Sequence, residues 1–191
     1  AGQLADELQD LRQSVAFLTD LHTSVRGLHV PETTGPGPIE LRHLLHGALA
    51  VARAQLPPGT SIEVECDPDL VITGDRTDLG RVFVNLAVNA GHAMAEAKVA
   101  APRLVLTGRR VGDRVHLSVA DNGPGVPDAL HEKIFEPRFT TRRRVGGSGL
   151  GLAITRQLLQ DNGGGIVLGP STEGGATFEV ELCAAGAPVL A

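Results

Sequence analysis

Two asparagines one helical turn apart, Asn85 and Asn89, precede three glycine-bearing segments in the order Asp121-Asn-Gly-Pro-Gly125, Gly147-Ser-Gly-Leu-Gly151 and Gly174-Gly-Ala-Thr177. Side-chain amide oxygens are hard donors of the kind Mg²⁺ accepts, an ion that takes few protein ligands and fills its shell with waters and phosphate oxygens. Glycines let a backbone approach a ligand and take up positive φ, and free amides at a helix start hold phosphate. An aspartate ahead of a glycine turn can offer its carboxylate to the edge of a base. Each piece alone is weak. The ordered set points to a nucleotide pocket.

Every one of these pieces also has a plainer reading. Asn85, Asn89, His92 and Glu96 follow a 4, 3, 4 spacing and share one helical face, which could be a solvated polar face or a pocket wall. Asp121 could simply open a strand-end turn, since Asp, Asn and Gly favour such turns. The segment Gly147–Gly151 stands between a polar loop and a helix, as a phosphate-binding helix start should. It is not GxGxxG behind a strand, and GxxxxGK[ST] is absent, so both common nucleotide folds are disfavoured. His43 and His46, at i and i+3, lack a third metal ligand and read as a surface pair.

The elements that must position these residues follow from periodicity. Leu4, Leu8, Leu11, Val15, Leu18, Leu21 and Val25 recur at steps of three and four, an amphipathic helix that wants a partner helix. Pro31–Pro38 (PETTGPGP) is a linker by composition. Helix signals return over Ile39–Gln55, and Ser61–Cys66 and Leu70–Thr73 read as strands. Thr77–Ala97 is the strongest helix, with Leu79, Val82, Phe83, Leu86 and Met94 on its core face. Leu104–Arg109 and Val115–Ala120 alternate as a hairpin turning at Gly112-Asp113. A short helix over Asp128–Phe135, a polar segment Glu136–Gly146, a helix over Leu150–Gln160 and strands at Ile166–Leu168 and Thr177–Leu182 complete the chain. Without strict βαβ alternation, this order predicts a helix layer on a mixed or largely antiparallel sheet.

Composition narrows the function. The 191 residues hold one ordinary domain with a short extension, and 42% hydrophobic residues suffice for a core. Five Phe with no Trp or Tyr, and a net charge of −5, argue against nucleic-acid binding. Cys66 and Cys183 fit neither a disulfide framework nor zinc spacing, so a reducing, cytoplasmic setting is expected. No apolar run is long enough to span a bilayer, and no direct membrane contact is expected, although a longer parent could be anchored. The chain opens inside a helical pattern, as a piece of a longer protein would.

Asn85-Leu-Ala-Val-Asn89-Ala90, Asp121-Asn-Gly-Pro-Gly125, Ile134-Phe-Glu-Pro137 with Phe139-Thr-Thr141, Gly147-Ser-Gly-Leu-Gly-Leu152 and Gly175-Ala-Thr177 resemble the five ordered ATP-site boxes of sensor histidine kinases. The resemblance runs from about Ile39 to Leu182 and implies the Bergerat fold, an α/β two-layer sandwich with three helices on a mixed sheet. It implies an ATP-binding catalytic domain over 39–191, a linker at 31–38, and at 1–30 the second helix of a dimerisation and phosphotransfer hairpin ending at Ser24-Val-Arg26. By position, Asn89 is the implied Mg²⁺ ligand, Asn85 its neighbour on the phosphate side, and His92 a basic phosphate contact. Asp121 would accept from the adenine amino group, with Gly123 and Gly125 shaping that wall and Thr177 closing the adenine end. Gly147, Ser148, Gly149 and Gly151 would face the phosphates, Leu150 would mark a lid hinge, and Phe135, Thr140, Thr141 and Leu152 would complete the nucleotide site. Arg142 falls where relatives reach the γ-phosphate with a lysine. Arg138 departs from the family's second aromatic, and the short lid, about Glu136–Gly146, is of the nitrogen-regulation type.

The implied activity is transfer of the ATP γ-phosphoryl group to a histidine on the hairpin of a homodimer, followed by relay to a response regulator. His131-Glu132 with Pro137 mimics an acceptor box, but the proline is one position late, so His131 is read as structural. His22, His29, His43, His46 and His116 also lack acceptor context, which places the acceptor upstream. Gyrase-like and mismatch-repair ATPases carry a glutamate where Asn85 stands, so hydrolysis is disfavoured. A nucleotide-binding module without catalysis is the remaining alternative.

Overall fold

The computed structural model describes residues 35–141, 149–171 and 174–186. The expected helix over Leu4–Val25 and the first half of the linker lie outside them. Strand β1 (Gly37–Glu40) leads into helix α1 (Leu41–Ala52), and a 3-10 turn at Arg53–Gln55 follows. Then come β2 (Ser61–Cys66), β3 (Val71–Gly74), α2 (Arg76–Glu96), β4 (Arg103–Val111) and β5 (Arg114–Asp121). Two 3-10 turns (Asp128–Leu130, Lys133–Phe135), α3 (Gly151–Asp161), β6 (Gly165–Leu168) and β7 (Thr177–Cys183) complete the order. The main sheet runs β2-β4-β5-β7-β6; β2 is parallel to β4 and the other pairs are antiparallel. This is the expected mixed sheet under a helix layer, with β1 and β3 forming a separate antiparallel ribbon.

Period two builds the sheet's apolar face. Leu104 and Leu106 of β4, Val115, Leu117 and Val119 of β5, and Phe178, Val180 and Leu182 of β7 are buried in register with one another. Their neighbours face outward, where Arg103 pairs with Glu63 and Arg114 with Glu181. Period 3.6 builds the layer above. Leu41, Leu44, Leu45, Ala48, Leu49 and Ala52 line the buried side of α1, which packs along α2. Helix α2 lies between α1 and α3, so it is buried on far more than one stripe, from Leu79 to Met94. Each fully buried leucine or phenylalanine contributes roughly 1.5–3 kcal/mol.

Three expectations need correction. The helix read over Ile39–Gln55 begins at Leu41, because Gly37–Glu40 pairs with Val71–Gly74 instead. Pro38, whose missing N–H is tolerated on an edge strand, is therefore strand rather than linker. The single helix read over Asp128–Phe135 is two 3-10 turns, with His131 and Glu132 between them.

A polar clamp fixes how α2 sits against α3. Asp75 caps α2, accepting from the N–H groups of Thr77 at 2.8 Å and Asp78 at 3.0 Å. The Asp75 N–H donates in turn to Asn162 Oδ1 at 2.6 Å, and Asn162 Nδ2 donates to the Leu158 carbonyl at 2.8 Å. A Cβ at Gly74 would sit 2.7 Å from both Asn162 Oδ1 and Leu79 Cδ1, so only glycine lets this corner close. Asn162→Ala should therefore cost about 1–3 kcal/mol, the penalty for leaving the Asp75 donor without its partner. Urea unfolding measures it, and a loss below about 0.5 kcal/mol would show that the clamp is incidental.

Candidate functional site

The site is one cavity of about 310 Å³ between α2, the end of β5, the start of β7 and the start of α3. That size suits a small-molecule ligand. Helix α2 supplies Asn85, Asn89, His92 and Glu96 to the wall, so the 4, 3, 4 face is a pocket wall and not solely a solvated surface. Gly125, Thr140, Thr141, Gly149, Gly151 and Leu152 also line it. Among the described residues, Gly123, Phe135, Leu150 and Thr177 do not. Arg142, Gly147 and Ser148 lie outside the described residues.

Asp121 reaches the cavity because of the phase of β5. Val115, Leu117, Val119 and Asp121 follow one another at period two, so the last buried position of the strand carries a carboxylate. Oδ1 accepts from the Gly123 N–H at 2.7 Å and from the Ala176 N–H at 3.4 Å. Among the described residues Oδ2 has no hydrogen bond, which leaves it to a donor inside the cavity. Burial pushes the Asp121 carboxyl above the usual carboxylate range, against the smaller opposing effect of those two amides. A Cβ at Gly175 would overlap the Asp121 carbonyl, so glycine at this position lets the third glycine segment close against the strand end.

Asn85 and Asn89 differ in surroundings. Asn85 is buried, and its Nδ2 donates to Thr155 Oγ1 of α3 at 2.7 Å. Asn89 is half-buried, one turn nearer the mouth. A Cβ at Gly151 would come within 2.6 Å of Asn85 Oδ1, so glycine there lets the start of α3 rest on the asparagine. Gly149, at φ 66°, is pinned differently: its carbonyl accepts from the Arg138 N–H at 2.9 Å, and a Cβ would sit 2.7 Å from the Phe139 carbonyl.

The remaining sequence expectations find other places. Thr177 is buried but alternates to the opposite sheet face from Ala176 and Phe178, which line the cavity in its stead. Phe135 lies behind the wall, edge-on to Phe178 with centroids 6.3 Å apart, while the Arg156 guanidinium lies 4.0 Å from its ring centre. Gly123 acts through its amide on Asp121. His131 Nε2 contacts the Val126 carbonyl at 3.0 Å, in keeping with a structural role. His43 and His46 are exposed, and among the described residues no cluster of His, Cys, Asp and Glu is arranged to hold a metal. No helix of the described residues is long and apolar enough to cross a membrane. Ala176, Phe178 and Thr155 were missed by motif reading. The two β7 residues were accessible from alternation, whereas Thr155 carried no signal beyond standing one turn after Gly151.

Among the groups that line the cavity, Asn85 and Asn89 on one wall supply hard oxygen donors of the kind that a Mg²⁺ site uses. The mixed sheet, the helix layer and a cavity with a buried aspartate at one end and paired asparagines along its wall define an ATPase-type nucleotide-binding domain. The chain belongs to the histidine kinase-, DNA gyrase B-, and HSP90-like ATPase family, whose model matches residues 74–186. It is 32% identical over 187 residues to the C4-dicarboxylate transport sensor protein DctB of Rhizobium meliloti (strain 1021), covering 95% of this chain and 28% of that protein. Full-length ShkA in complex with AMPPNP superposes with a TM-score of 0.67 at 28% identity, over 98% of this chain and 38% of that one. Histidine kinase ThkA in complex with the response regulator protein TrrA gives a TM-score of 0.64 at 28% identity, over 88% and 48%. The chain thus spans about a quarter of the length of DctB.

Asp121 sets a stability cost against binding. Its folded pKa is raised, so its stabilising contribution is full below the unfolded pKa and is lost as pH rises through the folded value. Above that value the ionised, buried carboxylate is a burden on the empty protein. Asp121→Asn should keep the Gly123 bond through its amide oxygen and turn an N–H₂ toward the ligand. We expect its thermal midpoint at pH 7 to be unchanged or higher, with ATP affinity lowered about 10- to 150-fold, the loss of a charged hydrogen bond worth roughly 1.5–3 kcal/mol. Calorimetry on both proteins reads both quantities, and undiminished affinity would remove Asp121 from the ligand.

Proposed function

We propose that this chain is the ATP-binding catalytic part of a two-component sensor histidine kinase, which passes the γ-phosphoryl group of Mg·ATP to a histidine on a dimerisation hairpin. The observation that carries the reading is the cavity bounded by the buried, inward-facing Asp121 at one end and by Asn85 and Asn89 along α2. Its family membership and the AMPPNP held by ShkA support ATP as the nucleotide. Resemblance to DctB and ThkA supports the kinase over a hydrolase, and Asn85 stands where a hydrolytic relative would need a general base.

In this mechanism the residues mostly position. Asp121 Oδ2 accepts from the exocyclic amino group of adenine, while Oδ1 stays fixed by Gly123. Val88 and Phe178 give the base apolar walls and exclude water. Asn89, with Asn85 beside it, would hold Mg²⁺, which when bound neutralises charge on the β- and γ-phosphates. His92 stands on the same wall as a polar phosphate contact. Arg142 is proposed as a γ-phosphate contact from the adjoining segment. Phosphoryl transfer asks little covalent chemistry of the protein, so holding the nucleotide and offsetting its charge carry most of the catalysis. The proposed partners are the chain's own dimerisation hairpin and a response regulator, in a cytoplasmic setting.

Asn89→Ala should leave adenosine binding within about twofold and lower phosphotransfer to a supplied hairpin about 10²- to 10³-fold, as for removal of one electrostatic stabiliser. Radiolabel transfer from ATP, alongside adenosine titration, reads both. A fall in phosphotransfer below about threefold in a folded variant would contradict the assignment.

A further inference from the structure

Thr155 is one of four polar residues that are buried among the described residues, with Asn85, Asp121 and Thr177. It is 1% exposed, lies one turn into α3, and does not itself line the cavity. Its hydroxyl oxygen accepts from Asn85 Nδ2 at 2.7 Å. Asn85 Oδ1 therefore turns the other way, toward Gly151, and both Asn85 and Gly151 line the cavity. An amide has a donor end and an acceptor end, and a rotation by half a turn exchanges them. Which end meets the ligand decides whether Asn85 offers a lone pair or an N–H.

We propose that Thr155 is a positioning residue that orients the Asn85 amide with its oxygen toward the nucleotide phosphates and their metal ion, an inference that rests on the functional reading above. Neither end of Asn85 is then left to chance. Thr155 takes the N–H₂ on the core side, and Gly151, lacking a Cβ, leaves the oxygen open on the cavity side. The arrangement also makes α3 responsive to the asparagine, since one hydrogen bond joins the helix after the second glycine segment to the wall of α2. Partners of this kind, one step removed from a ligated ion, typically change metal affinity 10- to 100-fold when lost.

The test uses the 191-residue chain and three proteins: wild type, Thr155→Val, which keeps the branched shape without the hydroxyl, and Thr155→Ser, which keeps the hydroxyl. Each is titrated with ATP in Mg²⁺ and in chelator, and with ADP in chelator. The expected result is that Thr155→Val binds metal-free ATP and ADP within about twofold of wild type but loses about 10- to 100-fold of the Mg²⁺-dependent tightening. Thr155→Ser should restore that tightening. Equal losses with and without Mg²⁺ would mean that Thr155 is merely structural, and an unchanged Thr155→Val would mean that it does not orient Asn85. Either result overturns the proposal while leaving the functional reading intact. Absence of metal-dependent tightening in the wild type would overturn the functional reading itself, and this inference with it. Should Thr155→Val fail to fold, Thr155→Ala supplies the same comparison.

Discussion

The arrangement depends on one carboxylate at the buried end of a strand. A β-strand repeats every two residues, so the run that buries Val115, Leu117 and Val119 must also turn Asp121 inward. Burying a charge is costly unless it is paired or hydrogen-bonded. Here the offset comes from the two backbone donors, Gly123 in the turn after the strand and Ala176 just ahead of β7. Those donors dictate where the first and third glycine segments run. Asp121 N donates to the Ala176 carbonyl at 2.9 Å, so the two segments are tied reciprocally around the side chain they serve. The carboxylate is only partly compensated, and the remainder is available to a ligand.

Helix α2 is the second structural necessity, because it must be core and wall at once. A helix between two others and a sheet has almost no solvent face, and Leu79, Val82, Phe83, Leu86 and Met94 fill its buried sides. The polar residues Asn85 and Asn89 occupy what remains, facing the start of α3 and the cavity. Its N-terminus cannot drift relative to that helix, since Asp75 and Asn162 join the beginning of one to the end of the other. A wall fixed at its cap by Asn162 and in its middle by Thr155 holds its asparagines in place before any ligand arrives. Such preorganisation is the main resource of a site that works by electrostatics.

Much of this was legible because short-range periodicity produced it. The hairpin turning at Gly112-Asp113, the long helix after Asp75 and the strand ending at Asp121 follow from spacings of two and of three to four. Ribbon β1-β3 was not legible, because its pairing partner lies more than thirty residues away and Pro38 signals linker locally. Ala176 and Phe178 were not legible from a motif read as a unit, since it is the strand's alternation that sets these two neighbours of Thr177 on the cavity wall. Thr155 had no local pattern to announce it, since its importance lies in a bond across 70 residues of chain.

The glycines point to a more general lesson about such signatures. Read from sequence, they suggest backbone drawn close to a ligand. In the structure several are drawn close to protein: Gly175 to the Asp121 carbonyl, Gly151 to Asn85, and Gly149 to Arg138 and Phe139. Arg138 itself takes φ 67°, a left-handed conformation that costs a non-glycine residue, and its N–H is fixed on the Gly149 carbonyl. The missing Cβ atoms let separate chain segments converge at the rim, and the space that they surround is the cavity. A glycine-rich pattern can therefore mark a cavity through protein contacts as well as through its lining, because the same convergence that needs the glycines creates the pocket.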